Sequence, residues 1–318
     1  MAHLFVNHHF FYGDLGFGQA LKGPSPDIVR NQLRSLKQYI RPAPSVWSDL
    51  ESSEKLVFSI TIDDGSLSFL EVIPVFIEEG IHVSVCVCGV STLQQNVLQI
   101  HKINLLRLEL GDDEMWIRLC DTYKTDFSPE RWPLKGNVVE ETLYRYDGVY
   151  TRRLKIALNY QLNYGETRQF IAPLFLKIFG SEAEMCRLLY LNDDHLRQIS
   201  LLPSIDIMFH GREHLLWAEL TPPSHRAELT PPDFLQDVLS NKYVLSIPYG
   251  MQGAYDQERV INDAGCAAGA FTMDRTVLHQ NRNSFYWLHR FDQADIFDGD
   301  GNVRSTLLAD VFNQVRSL

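Results

Sequence analysis

Asp63, Asp64 and Gly65 end an apolar run at residues 56–62, and these adjacent acids are the first place where the chain could do chemistry. Two neighbouring carboxylates at the end of a buried strand are costly to desolvate unless the site is open or one binds a cation. The same residue types also occur in plain turns. Further on, His210 and His214 stand four apart after the apolar run 205–209. On a helix they would share one face and could clamp one metal ion; on a surface the same spacing arises by accident. With Asp64 they would give two imidazoles and one carboxylate, leaving positions open for water, which is the layout of a catalytic site and not of a closed structural one. A third segment, Ser246-Ile247-Pro248-Tyr249-Gly250, again ends an apolar run in a turn.

Such residues need a scaffold that brings them to one place, and the pattern of elements suggests one. Ser25-Pro26-Asp27 opens a helix with an N-cap serine, a proline at the first position and an acid at the positive dipole end. Strands are expected at 3–6, 56–62, 82–88, 205–209, 243–247 and 268–272. Helices are expected at 69–79, 257–264 and 304–315. In the strand at 82–88, Val83, Val85 and Val87 share one face, and His82, Ser84, Cys86 and Cys88 the other. Strand, helix and strand in series imply βαβ units and a parallel sheet covered by helices. Residues 91–202 differ: helical periodicity at 166–179, 181–190 and 193–200 reads as a helical insertion.

Taken in order, Thr61-Ile62-Asp63-Asp64-Gly65, His210-Gly211-Arg212-Glu213-His214 and Pro248-Tyr249-Gly250 resemble the three motifs of the polysaccharide deacetylases, metal-dependent carbohydrate esterases. Ile62 replaces a phenylalanine of the first motif, while Gly211 and Leu215 replace the small hydroxyl residue and the proline of the second. Asn7-His8-His9 resembles the Tyr-His near the start of longer members, and Leu288-His289-Arg290 the apolar-x-Arg segment that closes the domain. The resemblance spans nearly the whole chain. It implies an α/β fold, a distorted (β/α) barrel as a single domain over residues 1–318, with 91–202 as an insertion between the first and second motifs.

The resemblance also implies roles. Asp64, His210 and His214 would hold one divalent metal, zinc by family habit, although the donor set also suits iron, cobalt or nickel. Asp63 would be the general base, oriented by Arg290 unless that arginine forms only a surface ion pair. His9 would be the general acid, with His8 the alternative, since adjacent residues on an extended segment face opposite ways. Pro248, Tyr249 and Gly250 would line the substrate site, with a backbone N–H near Tyr249 stabilising the oxyanion. Trp217, Tyr255, Tyr286 and Trp287 are further candidates for a sugar platform, or else packing residues. The reaction would remove an N-acyl group, acetyl by resemblance, from an amino sugar, oligosaccharide or glycolipid precursor of surface-polysaccharide assembly. A catalytically inactive relative that binds carbohydrate, or a complex subunit acting through the insertion, is the alternative.

The net charge of −11 argues against a nucleic-acid or anionic-membrane partner. No apolar run is long enough for a transmembrane segment, and the N-terminus lacks a signal-peptide pattern, so a cytoplasmic location is expected. Five cysteines do not suggest a disulfide framework. Cys86-Val87-Cys88 reads as core packing, and His82 and His101 as hydrogen-bonding residues. Asp298-Gly299-Asp300-Gly301-Asn302 reads as a turn, because Val303 and Ala309 stand where a calcium loop needs glycine and an acid. The segment Ala218-Glu219-Leu220-Thr221-Pro222-Pro223 recurs at 227–232, which suggests a duplicated surface loop.

Overall fold

Seven parallel strands close into a barrel. In the computed structural model, β1 (His3–His8), β3 (Val57–Ile62), β4 (Val83–Val87), β5 (Ile205–Phe209), β6 (Val244–Ser246), β7 (Gly269–Thr272) and β9 (Phe285–Asp292) pair in that order, and β9 pairs back onto β1. Two short strands lie outside the ring: β2 (Arg41–Pro42) pairs parallel to β3, and β8 (Gln280–Arg282) antiparallel to β9. The structure describes residues 3–11, 21, 23–45, 47, 56–128, 130–134, 144, 147–215, 222–239, 243–247, 260, 262–265, 267–277, 279–282 and 284–316.

The near-continuous apolar strands, such as Val-Phe-Ser-Ile-Thr-Ile in β3, follow from burial on both faces, one toward the barrel interior and one toward helices. Helix α1 (Pro26–Lys37) covers the outside. The Ser25 hydroxyl accepts from the Ile28 N–H, and Val29, Leu33 and Leu36 face inward. The stretch expected as one helix at 69–79 is instead a 3₁₀ turn, Leu67–Glu71, followed by α2 (Ile73–Glu78). Pro74 explains the break: it lacks an N–H and fits only the first turn of a helix, so the α-helix must begin beside it.

The interior is layered. The His3 ring meets the Ser59 hydroxyl at 2.9 Å near one end. Phe5 packs edge-on against Phe271 at 5.3 Å in the middle. Asn7, Thr61, Asp63 and Arg290 then form a polar layer at the C-terminal mouth. That mouth is where the loops of a parallel barrel carry chemistry.

Between β4 and β5 the chain runs through helices α3 (Gly89–Thr92), α4 (Gln99–Leu110), α5 (Asp112–Tyr123), α6 (Val149–Ile156), α7 (Tyr164–Phe179), α8 (Glu182–Leu189) and α9 (Asp193–Ile199). Residues from α4 to α8, including Ile103, Leu106, Leu119, Leu154 and Phe175, build an apolar cluster of their own beside the barrel core. The Leu191 N–H donates to the Gly65 carbonyl at 2.8 Å, so the end of this helical stretch is tied to the Asp63-Asp64-Gly65 turn. Asp298 accepts the N–H groups of Asp300 and Asn302, a turn with no cation needed to hold it.

Only the second half of the second repeat copy, Thr230-Pro231-Pro232, lies outside helices, with Thr230 exposed. Ala227-Glu228-Leu229 ends helix α10 (Pro222–Leu229), and Glu228 and Leu229 are 2% and 0% exposed. The first copy falls at 218–223, mostly outside the described residues, as does half of the expected helix at 257–264, of which 260, 262 and 263 are helical. Among the described residues, no helix is long and apolar enough to cross a membrane.

Three histidines, His3 and His8 fully buried and His279 half-buried, make the fold sensitive to acid. Burial lowers His8 to about 3, with a smaller effect from His9, and burial likewise lowers His279 to about 3. His3 is held well below its ordinary value by burial and then by His279. Each stays neutral in the folded chain and takes a proton on unfolding at about pH 6.5. Their contribution is therefore complete above that pH and is lost as the pH falls toward 3, each costing about 1.4 kcal/mol per pH unit. Urea midpoints measured at pH 7.5, 6 and 5 should fall in that order; a midpoint unchanged between pH 7.5 and 5 would contradict this assignment.

Candidate active site

Six of the seven barrel strands supply a polar group to the mouth, at, near or just beyond their C-terminal ends. Asp63 and Asp64 follow β3, Cys88 follows β4, His210 follows β5, and Ser246 ends β6. Asn7 comes from the end of β1 and Arg290 from β9, where Phe5 is in register with Arg290. Asp64 and Gly65 both take left-handed backbone, with φ of 68° and 63°. This turn aims two successive carboxylates into the mouth. A Cβ at Gly65 would also stand 2.9 Å from a Val87 methyl, so glycine is required twice over.

Asp63 is saturated with donors. The Arg290 Nη1 donates to Oδ1 at 2.8 Å and Nη2 to Oδ2 at 2.9 Å. The Ser246 hydroxyl donates to Oδ1 at 2.9 Å and the Asn7 amide to Oδ2 at 3.0 Å. Arg290 is 1% exposed, so this is a buried bidentate pair and not a surface contact. Burial alone would raise the Asp63 carboxyl, yet the charges of Arg290 and His210 and the Arg290 hydrogen bonds hold it below the usual carboxylate range. It is an anion throughout the neutral range.

Asp64 is equally buried but differently partnered. Its Oδ2 accepts from His101 Nε2 at 3.0 Å. Its Oδ1 makes no hydrogen bond, although His210 Nε2 lies 3.4 Å away and His214 Nε2 3.7 Å away. Burial pushes the Asp64 carboxyl up, and His101, His210 and His214 together bring it well below its ordinary value.

The tautomer of His210 sharpens the point. Its Nδ1 lies 2.8 Å from the Ser246 carbonyl, which can only accept, so Nδ1 carries a hydrogen. Nε2 then offers a lone pair toward a carboxylate oxygen that also has only lone pairs. Two acceptors at 3.4 Å repel unless a cation, a second proton or a metal ion, sits with them. Burial lowers the His210 imidazole, but the Asp63 charge and Asp64 outweigh it, so the ring is raised. His214 is lowered to about 3 by burial and then by His210. A carbonyl-anchored imidazole facing a buried, unpartnered carboxylate oxygen fits a divalent cation.

The two histidines do not converge by sharing a helix face. Residues 210–215 are a loop, with Gly211 at φ 82° and His214 at φ 59°, and the rings meet edge-on at 4.7 Å. The loop is clamped on both sides. The Gly89 and Val90 N–H groups donate to the carbonyls of Gly211 and Arg212, and the Glu228 carboxylate accepts from the N–H groups of Glu213 and Leu215. Burial raises Glu228 to about 7 against these donors.

His9 is half-buried, and its charge reaches Asp63 and lowers it. Asn7, which shares its side of the extended segment, donates to Asp63. His8 is 2% exposed and stacks on Phe11 at 5.5 Å. Pro248, Tyr249 and Gly250 lie outside the described residues, as do Trp217 and Tyr255. Trp287 is fully buried, and Tyr286 packs edge-on against Trp47 at 5.8 Å.

Besides Cys88, which reads as core packing, three contributors were not among the candidates drawn from the sequence. His101 and Tyr190 come from the helical stretch. The Tyr190 hydroxyl accepts from the Leu98 N–H and donates to His101 Nδ1, which leaves Nε2–H for Asp64. Glu228 comes from the second repeat copy. No spacing marks any of them, because each is brought in by tertiary folding alone.

The mouth therefore groups a donor-saturated carboxylate with a second carboxylate and imidazoles that could hold a cation, on a parallel (β/α) barrel. No family model and no curated protein matches the chain. Solved structures that the chain matches include deacetylases. The deacetylase PplD of Streptococcus pyogenes, in complex with acetate, is 13% identical, with a TM-score of 0.47 over 92% of each chain. The polysaccharide deacetylase BC0361 of Bacillus cereus is 10% identical, with a TM-score of 0.45 over 92% of this chain and 65% of that one. The BpsB deacetylase domain of Bordetella bronchiseptica is 10% identical, with a TM-score of 0.42 over 92% of this chain and 96% of that one.

Proposed function

We propose that this chain is a metal-dependent hydrolase that removes an N-acyl group, acetyl in the first instance, from an amino sugar in an oligosaccharide or glycolipid precursor. The observation that carries this reading is the division of labour between neighbouring carboxylates. Asp63 is locked as an anion by Arg290, Asn7 and Ser246, while Asp64 keeps one bare oxygen facing imidazole nitrogens.

In this reading Asp64 and His210 hold one divalent cation, with His214 beside them; zinc suits the donors, and iron, cobalt or nickel would also be accepted. When bound, such a cation lowers the pKa of a water ligand from 15.7 to about 7 and polarises a carbonyl oxygen. Asp63 Oδ2, which faces His210 Nε2 at 3.7 Å, is the oxygen that takes the proton from the attacking water. The Arg290 fork and the Asn7 amide hold that oxygen in place, and one of these hydrogen bonds gives way as the proton arrives. His9 gives a proton to the leaving amine, which departs poorly as an anion. Pro248, Tyr249 and Gly250 line the substrate side.

The test is acetate release from N-acetylglucosamine and its oligomers by zinc-loaded protein. Acetate formed in step with free amine supports the reading. Metal-loaded protein that binds these sugars and releases nothing would instead be an inactive carbohydrate-binding relative.

A further inference from the structure

We propose that Cys88 is a ligand of the cation, so that the donor set at the mouth is a carboxylate, a thiolate and an imidazole: Asp64, Cys88 and His210. This rests on the cation site proposed above and changes its chemistry. The potential ligand atoms of these residues lie within 4.8 Å of one another, and His214 does not join that group. Ligands at about 2.0–2.3 Å from a tetrahedral centre stand well under 4.8 Å apart, so only small adjustments are needed.

The local structure supports a ligand and not a packing residue. Strand β4 ends at Val87, and the alternation that turns Val83, Val85 and Val87 to one face turns Cys88 to the face of the acids. Its only hydrogen bond among the described residues is a weak one, from Sγ to the His210 carbonyl at 3.3 Å. The independent observation is Asp64 Oδ1, in a side chain 3% exposed, which makes no hydrogen bond within the same group of atoms. A thiol beside an unpartnered carboxylate oxygen and a carbonyl-anchored imidazole is a poor apolar core and a good cation cradle.

On binding, the Cys88 S–H bond breaks, its proton passes to solvent, and a sulfur–metal bond forms; no electrons are exchanged. A thiolate donor favours zinc, cobalt and other borderline cations over magnesium and calcium, which prefer oxygen alone. Three protein donors keep one position open, so the site remains fit for hydrolysis.

Cobalt(II)-loaded protein gives a direct test. The wild type should show a near-ultraviolet sulfur-to-cobalt charge-transfer band beside the visible ligand-field bands. Cys88→Ser should lose the former and keep the latter, and His214→Ala should keep both. X-ray absorption at the zinc edge of the wild type, which needs no variant, should show a sulfur neighbour at about 2.3 Å. Ligand-field bands without the charge-transfer band, or a zinc shell of oxygen and nitrogen alone, would overturn Cys88 as a ligand and leave the cation site standing. No cobalt bound at all would overturn both.

Discussion

Asp63→Asn should retain the metal and lose about 10²–10⁴-fold in deacylation rate, the usual worth of a positioned general base. The amide still offers an oxygen to Arg290 but no basic lone pair to the attacking water. The same change removes the counter-charge of an arginine that is 1% exposed, and breaking a buried pair from one side costs about 3–5 kcal/mol. Stability and rate therefore fall together, and the two must be separated. Adding Arg290→Met to Asp63→Asn removes the orphaned charge. The double variant should regain much of the lost stability and none of the rate. Acetate release at the wild-type rate by the single variant would remove Asp63 from the chemistry.

Much of this arrangement was legible in the chain because it is local. Asp63-Asp64-Gly65 announces a turn at a strand end, and the structure adds only that Asp64 and Gly65 are both left-handed. The apolar runs locate β3, β4, β5 and β7 to within about two residues, since parallel strands buried on both faces leave little else for those residues to be. Helix α1 reads from its serine cap and its N1 proline.

What escaped reading is non-local. The histidine pair is spaced as on a helix, yet it converges through left-handed residues in a loop braced by Glu228 and the start of α3. Glu228 was hidden in a repeat whose composition suggests a surface loop, because proline and threonine dominate the copy and mask a carboxylate that ends up buried. His101 on α4 and Tyr190 just past α8 are remote in sequence from Asp64, and only the return of the chain at Leu191 brings them to it. Cys88 looks like core when its strand is considered alone. Its polar company becomes visible only once β3 and β5 flank β4, because the neighbours that make a thiol a ligand come from other strands.

The largest effect on binding should come from His210. Its Nδ1 is spent on the Ser246 carbonyl, so Nε2 is committed to the cation. Losing a direct ligand should weaken binding beyond the roughly 10–100-fold that outer-shell changes cost. Asp64→Asn should do the same, since the amide that replaces the carboxylate carries no charge. His101→Ala, which removes the hydrogen bonds to Asp64 Oδ2 and from Tyr190 but no ligand, should fall within that outer-shell range.

Metal content of the purified wild type, measured beside Asp64→Asn and His210→Ala, puts the central claim to its most direct test. The account predicts one tightly held divalent cation per wild-type chain and almost none in either variant, with all three chains folded by circular dichroism. Equal metal in all three, or a wild type that holds no divalent ion after zinc loading, would contradict it.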